Sequence, residues 1–279
     1  MDLKHISLDS VIKEWNVLKY MSLLELENVN GRSRLGCGIV DYYFFEHRLK
    51  TRGNKGINFY EFVDQIDFYK TKPYIQTLLT FCDKNNRYKD SEMKRYYYIY
   101  GLTFGRVNAF KITNALKMYL KYKPNHILDP FCGFGGRLAA AIMLDIPYTG
   151  IDINIDLKND YERMIQDFSN TKVNLLFHDC LDLDYSTIDY DMVFTSPPYE
   201  NIEVYPNNLI KTNKEWDLFY REIFQKLWTH LKHGTFAINI HAKIYKLLVE
   251  LFGECNEKIL LSKSSRNDYK EYIYIWIKS

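Results

Sequence analysis

Long apolar runs are missing from this chain of 279 residues. The longest, residues 138–144, falls far short of the roughly 18–20 residues needed to span a bilayer. The N-terminal residues include acids and no apolar core, so no secretory signal is expected. The expected location is intracellular, in the cytoplasm, with no membrane partner and no secretion. An excess of one charge is missing too. Lys and Arg number 37 against 35 Asp and Glu, which excludes a purely electrostatic nucleic-acid binder of the histone kind. Cysteine is scarce: Cys37, Cys82, Cys132, Cys180 and Cys255 are odd in number and form no CxxC pair. Neither a disulfide framework nor a zinc site follows, and a reducing compartment fits better. The seven histidines show no metal-ligand spacing, so no metal is expected. Repeats, low-complexity tracts and Pro/Gly linkers are absent, leaving an ordinary globular composition of 47% hydrophobic and 26% charged residues. Tyrosine is abundant, at 24 residues, a usage that suits an AT-rich genome and says nothing about mechanism.

The texture of the chain changes near residue 100. Residues 1–100 read as a mainly helical N-terminal region, with apolar side chains at helical spacing over 8–27, 57–69 and 73–82. The glycine-rich stretch 30–57 carries Arg32, Arg34, Arg48, Lys50, Arg52 and Lys55, and part of it reads as a mobile loop. A second basic stretch (Lys84, Arg87, Lys89, Lys94, Arg95) borders Tyr96, Tyr97 and Tyr98, which read as a tyrosine-rich core strand. Either stretch could track phosphates.

Residues 101–279 alternate short apolar runs with amphipathic ones, the pattern of βαβ units. Strands are predicted at 126–131, 148–153, 173–178, 190–195 and 234–240, and helices at 136–144, 156–168, 214–231 and 242–252. The runs 258–261 and 271–277 are too close for a parallel crossover, so they must pair antiparallel. The fold class predicted is α/β, a mostly parallel sheet of seven strands finished by a terminal antiparallel strand.

The most informative segment is Ile-Leu-Asp-Pro-Phe-Cys-Gly-Phe-Gly-Gly-Arg over 127–137, a strand running into a glycine turn and then a helix. Glycines let a ligand approach the backbone, and the helix N-terminus attracts anionic groups. Without the Lys-Ser/Thr of a P-loop, a nucleoside triphosphate does not fit. Asp152, 23 positions after Asp129, ends the next strand, where a carboxylate can accept both ribose hydroxyls of a nucleoside. Asp179 ends the strand after that and can accept from an adenine amino group. The fourth strand ends in Phe194-Thr-Ser-Pro-Pro-Tyr199. Two prolines stiffen the backbone and remove N–H donors, leaving carbonyls, Ser196 and the Tyr199 ring to face a planar group with an exocyclic amine.

These ordered motifs (DPFCGFGG, the acid of GIDIN, the acid of FHDC, and TSPPY) resemble those of the AdoMet-dependent DNA amino-methyltransferases, which modify cytosine N4 or adenine N6. The resemblance covers roughly residues 104–278 and is strongest to methylases of phages and large DNA viruses. It implies a Rossmann-like AdoMet-methyltransferase fold with S-adenosyl-L-methionine as cofactor and DNA as partner. Asp129, Phe131, Gly133 and Gly135 would surround the methionine part of AdoMet. Asp152 would hold its ribose, Asp179 its adenine, and Asn108 and Lys111 its carboxylate. Ser196, Pro197 and Pro198 would engage the target amino group while Tyr199 stacks on the base. Methyl transfer would be direct and in line, to a base that is flipped out or unpaired, with cytosine slightly favoured.

Many members of this family carry a separate target-recognition domain after these motifs. Here recognition is expected to fall to residues 1–100, above all Arg32, Arg34, Arg48, Lys50, Arg52 and Lys55, to the 200–213 loop, or to a partner subunit. Two alternatives stay open: an RNA base amino-methyltransferase, and a non-catalytic AdoMet-binding subunit of a modification complex.

Overall fold

The computed structural model describes residues 3–53, 55–169, 171–199, 212–263 and 270–279. Where one helix is expected over 8–27 there are two, α1 (Leu8–Lys19) and α2 (Leu23–Glu27). Ser22 restarts the helix with a capping box, accepting from the Glu25 N–H while the Glu25 carboxylate accepts from the Ser22 N–H.

Of the stretch 30–57, part of which is expected to be a loop, residues 30–36 are turns and irregular chain, whereas α3 (Cys37–Lys50) is a helix whose Ile39, Val40, Tyr43, Phe44 and Leu49 are buried. Its cap is supplied from α1. The two carboxylate oxygens of Glu14 accept from the Gly36 N–H at 2.7 Å and the Ile39 N–H at 3.2 Å. A cap from so far along the chain leaves no local signal. Next come α4 (Phe59–Asp64), α5 (Ile66–Lys70), α6 (Pro73–Lys84) and α7 (Glu92–Thr103). The Tyr96–Tyr98 run lies in α7, so the core strand expected there is a helix. Ser91 caps it, and Tyr96, Ile99 and Tyr100 turn inward. A further helix, α8 (Ile112–Tyr122), starts from its N-cap Lys111 and leads into the first strand.

The βα alternation follows the sequence closely. In order come β1 (Ile127–Asp129), α9 (Gly136–Met143), β2 (Tyr148–Ile151), α10 (Lys158–Phe168), β3 (Val173–Leu176) and β4 (Met192–Thr195). They are followed by α11 (Asn213–His230), β5 (Gly234–Ile240), α12 (Ala242–Phe252), β6 (Glu257–Lys263) and β7 (Lys270–Lys278). The seven strands form one sheet in the order β3-β2-β1-β4-β5-β7-β6. The first five are parallel, and β7 runs antiparallel to both β5 and β6.

Period-two alternation sends Ile127, Met192, Phe194, Ala237, Ile273 and Ile275 to one face and Leu128, Val193, Phe236, Ile238, Tyr274 and Trp276 to the other. The second face is covered by α11 and α12. The first face shares one core with α8, α9 and α10, and also with Val11, Trp15 and Leu18 of α1, Leu26 of α2, and Ile39, Val40 and Phe44 of α3. Hydrophobic packing thus crosses residue 100. A smaller cluster around Phe59, Phe62, Ile75 and Tyr100 binds α4 to α7 together. No helix among the described residues is long and apolar enough to cross a membrane.

Candidate functional site

The carboxyl ends of β1, β2 and β4 open onto a cavity of about 1380 Å³. Of the residues singled out from the sequence, Phe131, Gly133, Asp152, Asp179, Ser196, Pro197, Pro198, Tyr199, Asn108 and Lys111 all line it. Asp129 and Gly135 do not, and the geometry gives each a different task.

Asp129 is fully buried. Its carboxylate accepts from Arg137 Nε at 2.6 Å, Tyr148 Oη at 2.6 Å, Thr195 Oγ1 at 2.6 Å and the Phe131 N–H at 3.3 Å. Arg137 in turn donates to the carbonyl of Phe131. This acid shapes the glycine turn from beneath rather than meeting a ligand directly. Gly135, at φ 72°, holds the left-handed conformation that ends the turn, and a Cβ there would stand 2.7 Å from the Phe44 ring of α3. Gly136 lies so close to the Phe110 carbonyl that a Cβ would collide with it. The paired glycines let α9 start against the Phe44 ring of α3 on one side and the Phe110 carbonyl on the other.

Asp152 faces the cavity from the end of β2. Its Oδ2 accepts from the Gly133 N–H at 2.9 Å and its Oδ1 from the Asn154 N–H at 2.9 Å. Burial pushes its pKa up to about 6, against the pull of these two amides. Asp179 is exposed, with Oδ1 accepting from the Leu181 N–H at 2.9 Å. Burial raises the Cys132 thiol well above its usual range, which makes it inert packing under the turn. Aromatic side chains that the sequence did not single out complete this end of the cavity: Trp216 and Phe219 of α11, the latter 5.9 Å from the Phe131 ring. They sit at helical spacing inside an amphipathic segment, where core and ligand-facing aromatics look alike.

The Ser196–Tyr199 segment leaves β4 and is held by neighbouring elements. Ser196 Oγ donates to Asn239 Oδ1 at 3.2 Å, Tyr199 Oη to the Asn239 carbonyl at 3.1 Å, and Tyr220 Oη to the Pro198 carbonyl at 2.6 Å. The Tyr199 ring stacks on His241, with centroids 5.3 Å apart.

The expected basic cluster divides. Arg32, Arg34 and Arg48 line the cavity. Arg48 is ion-paired with the buried Asp41 and donates to the Val107 carbonyl at 2.9 Å, so its charge is engaged internally. Lys50, Arg52 and Lys55 lie off the cavity, and Arg52 pairs with Glu61. Lys111 donates to the carbonyls of Gly31 and Ser33, fastening the Arg32–Arg34 turn to the start of α8. Lys4, Arg106 and, on α8, Lys117 and Lys121 add cationic lining that comes from three separate places in the chain. The 200–213 loop, expected to take part in recognition, lies outside the described residues up to 211.

The sheet order and the glycine turn after β1, with acids following β2 and β3, make this a Rossmann-like α/β fold. No protein-family model matches the sequence, and no curated protein does. Among solved structures, the chain is similar to TrmN from Thermus thermophilus, at 15% identity over 60% of this chain and 49% of that one, with a TM-score of 0.48. It is also similar to an rRNA methylase from Streptococcus thermophilus, at 12% identity over 62% of this chain and 98% of that one, with a TM-score of 0.44. A third is a protein described as a predicted N6-adenine-specific DNA methylase from Listeria monocytogenes, at 15% identity over 61% and 52% of the two chains, with a TM-score of 0.42. This chain spans about half the length of TrmN. The likeness to all three is one of fold.

Proposed function

We propose that this chain is an S-adenosylmethionine-dependent methyltransferase acting on the exocyclic amino group of a DNA base, cytosine N4 or adenine N6. One observation supports the reading above others. The Ser196–Tyr199 segment, the glycine turn, Asp152 and Asp179 line one continuous cavity at the carboxyl ends of the strands.

The residues present fit the cofactor. Asp152 offers a carboxylate already oriented by two backbone amides, suited to a ribose diol. Asp179 stands one strand further out and would accept from the adenine amino group, and Phe131, Trp216 and Phe219 supply apolar walls. Asn108 and Lys111 stand at the start of α8, though Lys111 is largely taken up by backbone carbonyls. When bound, the cofactor supplies a sulfonium methyl group.

On the substrate side, the lone pair of an aromatic amine is delocalised into the ring, so the nitrogen is a poor nucleophile. Ser196 Oγ and the Pro197 carbonyl would accept from its two N–H groups and draw the nitrogen toward tetrahedral geometry. Tyr199, backed by His241, would present a ring face to the base. Positioning and electrostatics do the work, with no covalent enzyme intermediate. Inside a duplex the target is out of reach, so the base is flipped out or unpaired.

The test compares Ser196→Ala and Tyr199→Ala with the parent in methyl transfer and in cofactor binding. Ser196→Ala should lower turnover more than cofactor affinity. Tyr199→Ala should lose stacking worth about 1–3 kcal/mol, which Tyr199→Phe retains. If both alanine variants transfer methyl at the parent rate, the segment is only a turn and the reading falls.

A further inference from the structure

Asn239 is 2% exposed, near the end of β5, and each of its polar groups except the backbone N–H has a telling partner. Its Nδ2 donates to the Tyr272 carbonyl on β7 at 3.0 Å. A carbonyl can only accept, so the amide orientation is fixed and Oδ1 is the atom that faces Ser196. That oxygen takes the Ser196 hydroxyl proton at 3.2 Å. The main-chain carbonyl of the same residue accepts from Tyr199 Oη at 3.1 Å. One buried residue thereby holds both ends of the Ser196–Tyr199 segment from a neighbouring strand.

We propose that Asn239 is a positioning residue that turns Ser196 into a pure hydrogen-bond acceptor, so that the cavity takes an amino-bearing base and rejects its keto counterpart. A hydroxyl has one proton and two lone pairs, and it rotates to suit its partner. A freely rotating Ser196 would donate to a keto oxygen as readily as it accepts from an amine. With its proton committed to Asn239 Oδ1, only lone pairs face the cavity. An amine N–H meets an acceptor there, whereas a keto oxygen meets like charge and is left unpaired. The inference rests on the amino-methyltransferase reading for the identity of the ligand, and adds the residue that selects it.

The test measures binding rather than turnover. Short single-stranded DNA oligonucleotides that differ at one base, cytosine against uracil and adenine against hypoxanthine, are titrated by fluorescence anisotropy with S-adenosylhomocysteine present. The parent should prefer the amino-bearing member of at least one pair by about tenfold. Asn239→Ala should reduce that preference about threefold, the Pro197 carbonyl retaining the rest, while S-adenosylhomocysteine affinity is kept. Ser196→Ala, which leaves β5 untouched, should do the same. Should Asn239→Ala not melt cooperatively, Asn239→Ser, too short to reach Ser196, takes its place with the same expectation. A parent without preference, or an Asn239 or Ser196 variant that keeps the parent's preference, overturns the proposal. A parent that discriminates yet transfers no methyl would instead refute the enzymatic reading and leave the role of Asn239 standing.

Discussion

Two aspartates at neighbouring strand ends do opposite things. Asp152 faces the cavity with its pKa raised to about 6 by burial. A hydroxyl donated to it favours the carboxylate, so cofactor affinity should be level above that pH and fall by up to about tenfold per unit below it. Calorimetry across pH 4.5–8 checks this, and an affinity independent of pH would remove Asp152 from the site. The sign for folding is the reverse: a raised native pKa means that the proton stabilises the native state below the unfolded value, and this contribution is lost as pH rises through about 6. Asp152→Ala should weaken cofactor binding by about 1.5–3 kcal/mol. Asp129, by contrast, is a buried ion-pair partner of Arg137. Asp129→Ala strands that cation and should cost about 3–5 kcal/mol of stability in denaturant melts, far more than Asp152→Ala. The importance of both acids was legible in the motif. Their division of labour was not, because Arg137, Tyr148 and Thr195 meet Asp129 only in the folded chain.

At the scale of elements, the βα half was legible because each strand is a short apolar run bounded by a turn signal and each helix carries one apolar stripe. The N-terminal helices were not. In α3 burial wraps most of the way round, so periodicity fades, and its cap comes from Glu14. The tyrosines of α7 carry a strand propensity that packing against Phe59 and Phe62 overrides. Folding also redistributes the basic stretch. Arg32 and Arg34 are exposed at the cavity, whereas Arg52 is paired with Glu61 away from it. Replacing Arg32 and Arg34 with Ala should weaken nucleic-acid binding and flatten its salt dependence by about 0.9 slope units per lost duplex phosphate contact. Arg52→Ala should change neither. A salt slope that stays put in the double variant would make the turn merely solvated surface.

For the molecule as a whole, a boundary at residue 100 suggests a helical recognition module appended to a catalytic one. The packing argues for closer union: Trp15, Leu18, Ile39 and Phe44 lie in the same core as Leu138–Met143, and Phe44 abuts the cofactor turn at Gly135. The full chain should therefore melt in a single transition, and a 101–279 fragment should neither melt cooperatively nor bind cofactor. Two separated transitions, or a fragment that binds normally, would restore the two-module view. The central claim concerns chemistry at this shared cavity, and one measurement reaches it most directly. The protein is incubated with methyl-tritiated S-adenosylmethionine and separate DNA and RNA pools, followed by nucleoside mass spectrometry. Label in DNA as N4-methylcytosine or N6-methyladenine, lost in Ser196→Ala, is the predicted result; label confined to RNA, label on a ring carbon, or no label in either pool would contradict it.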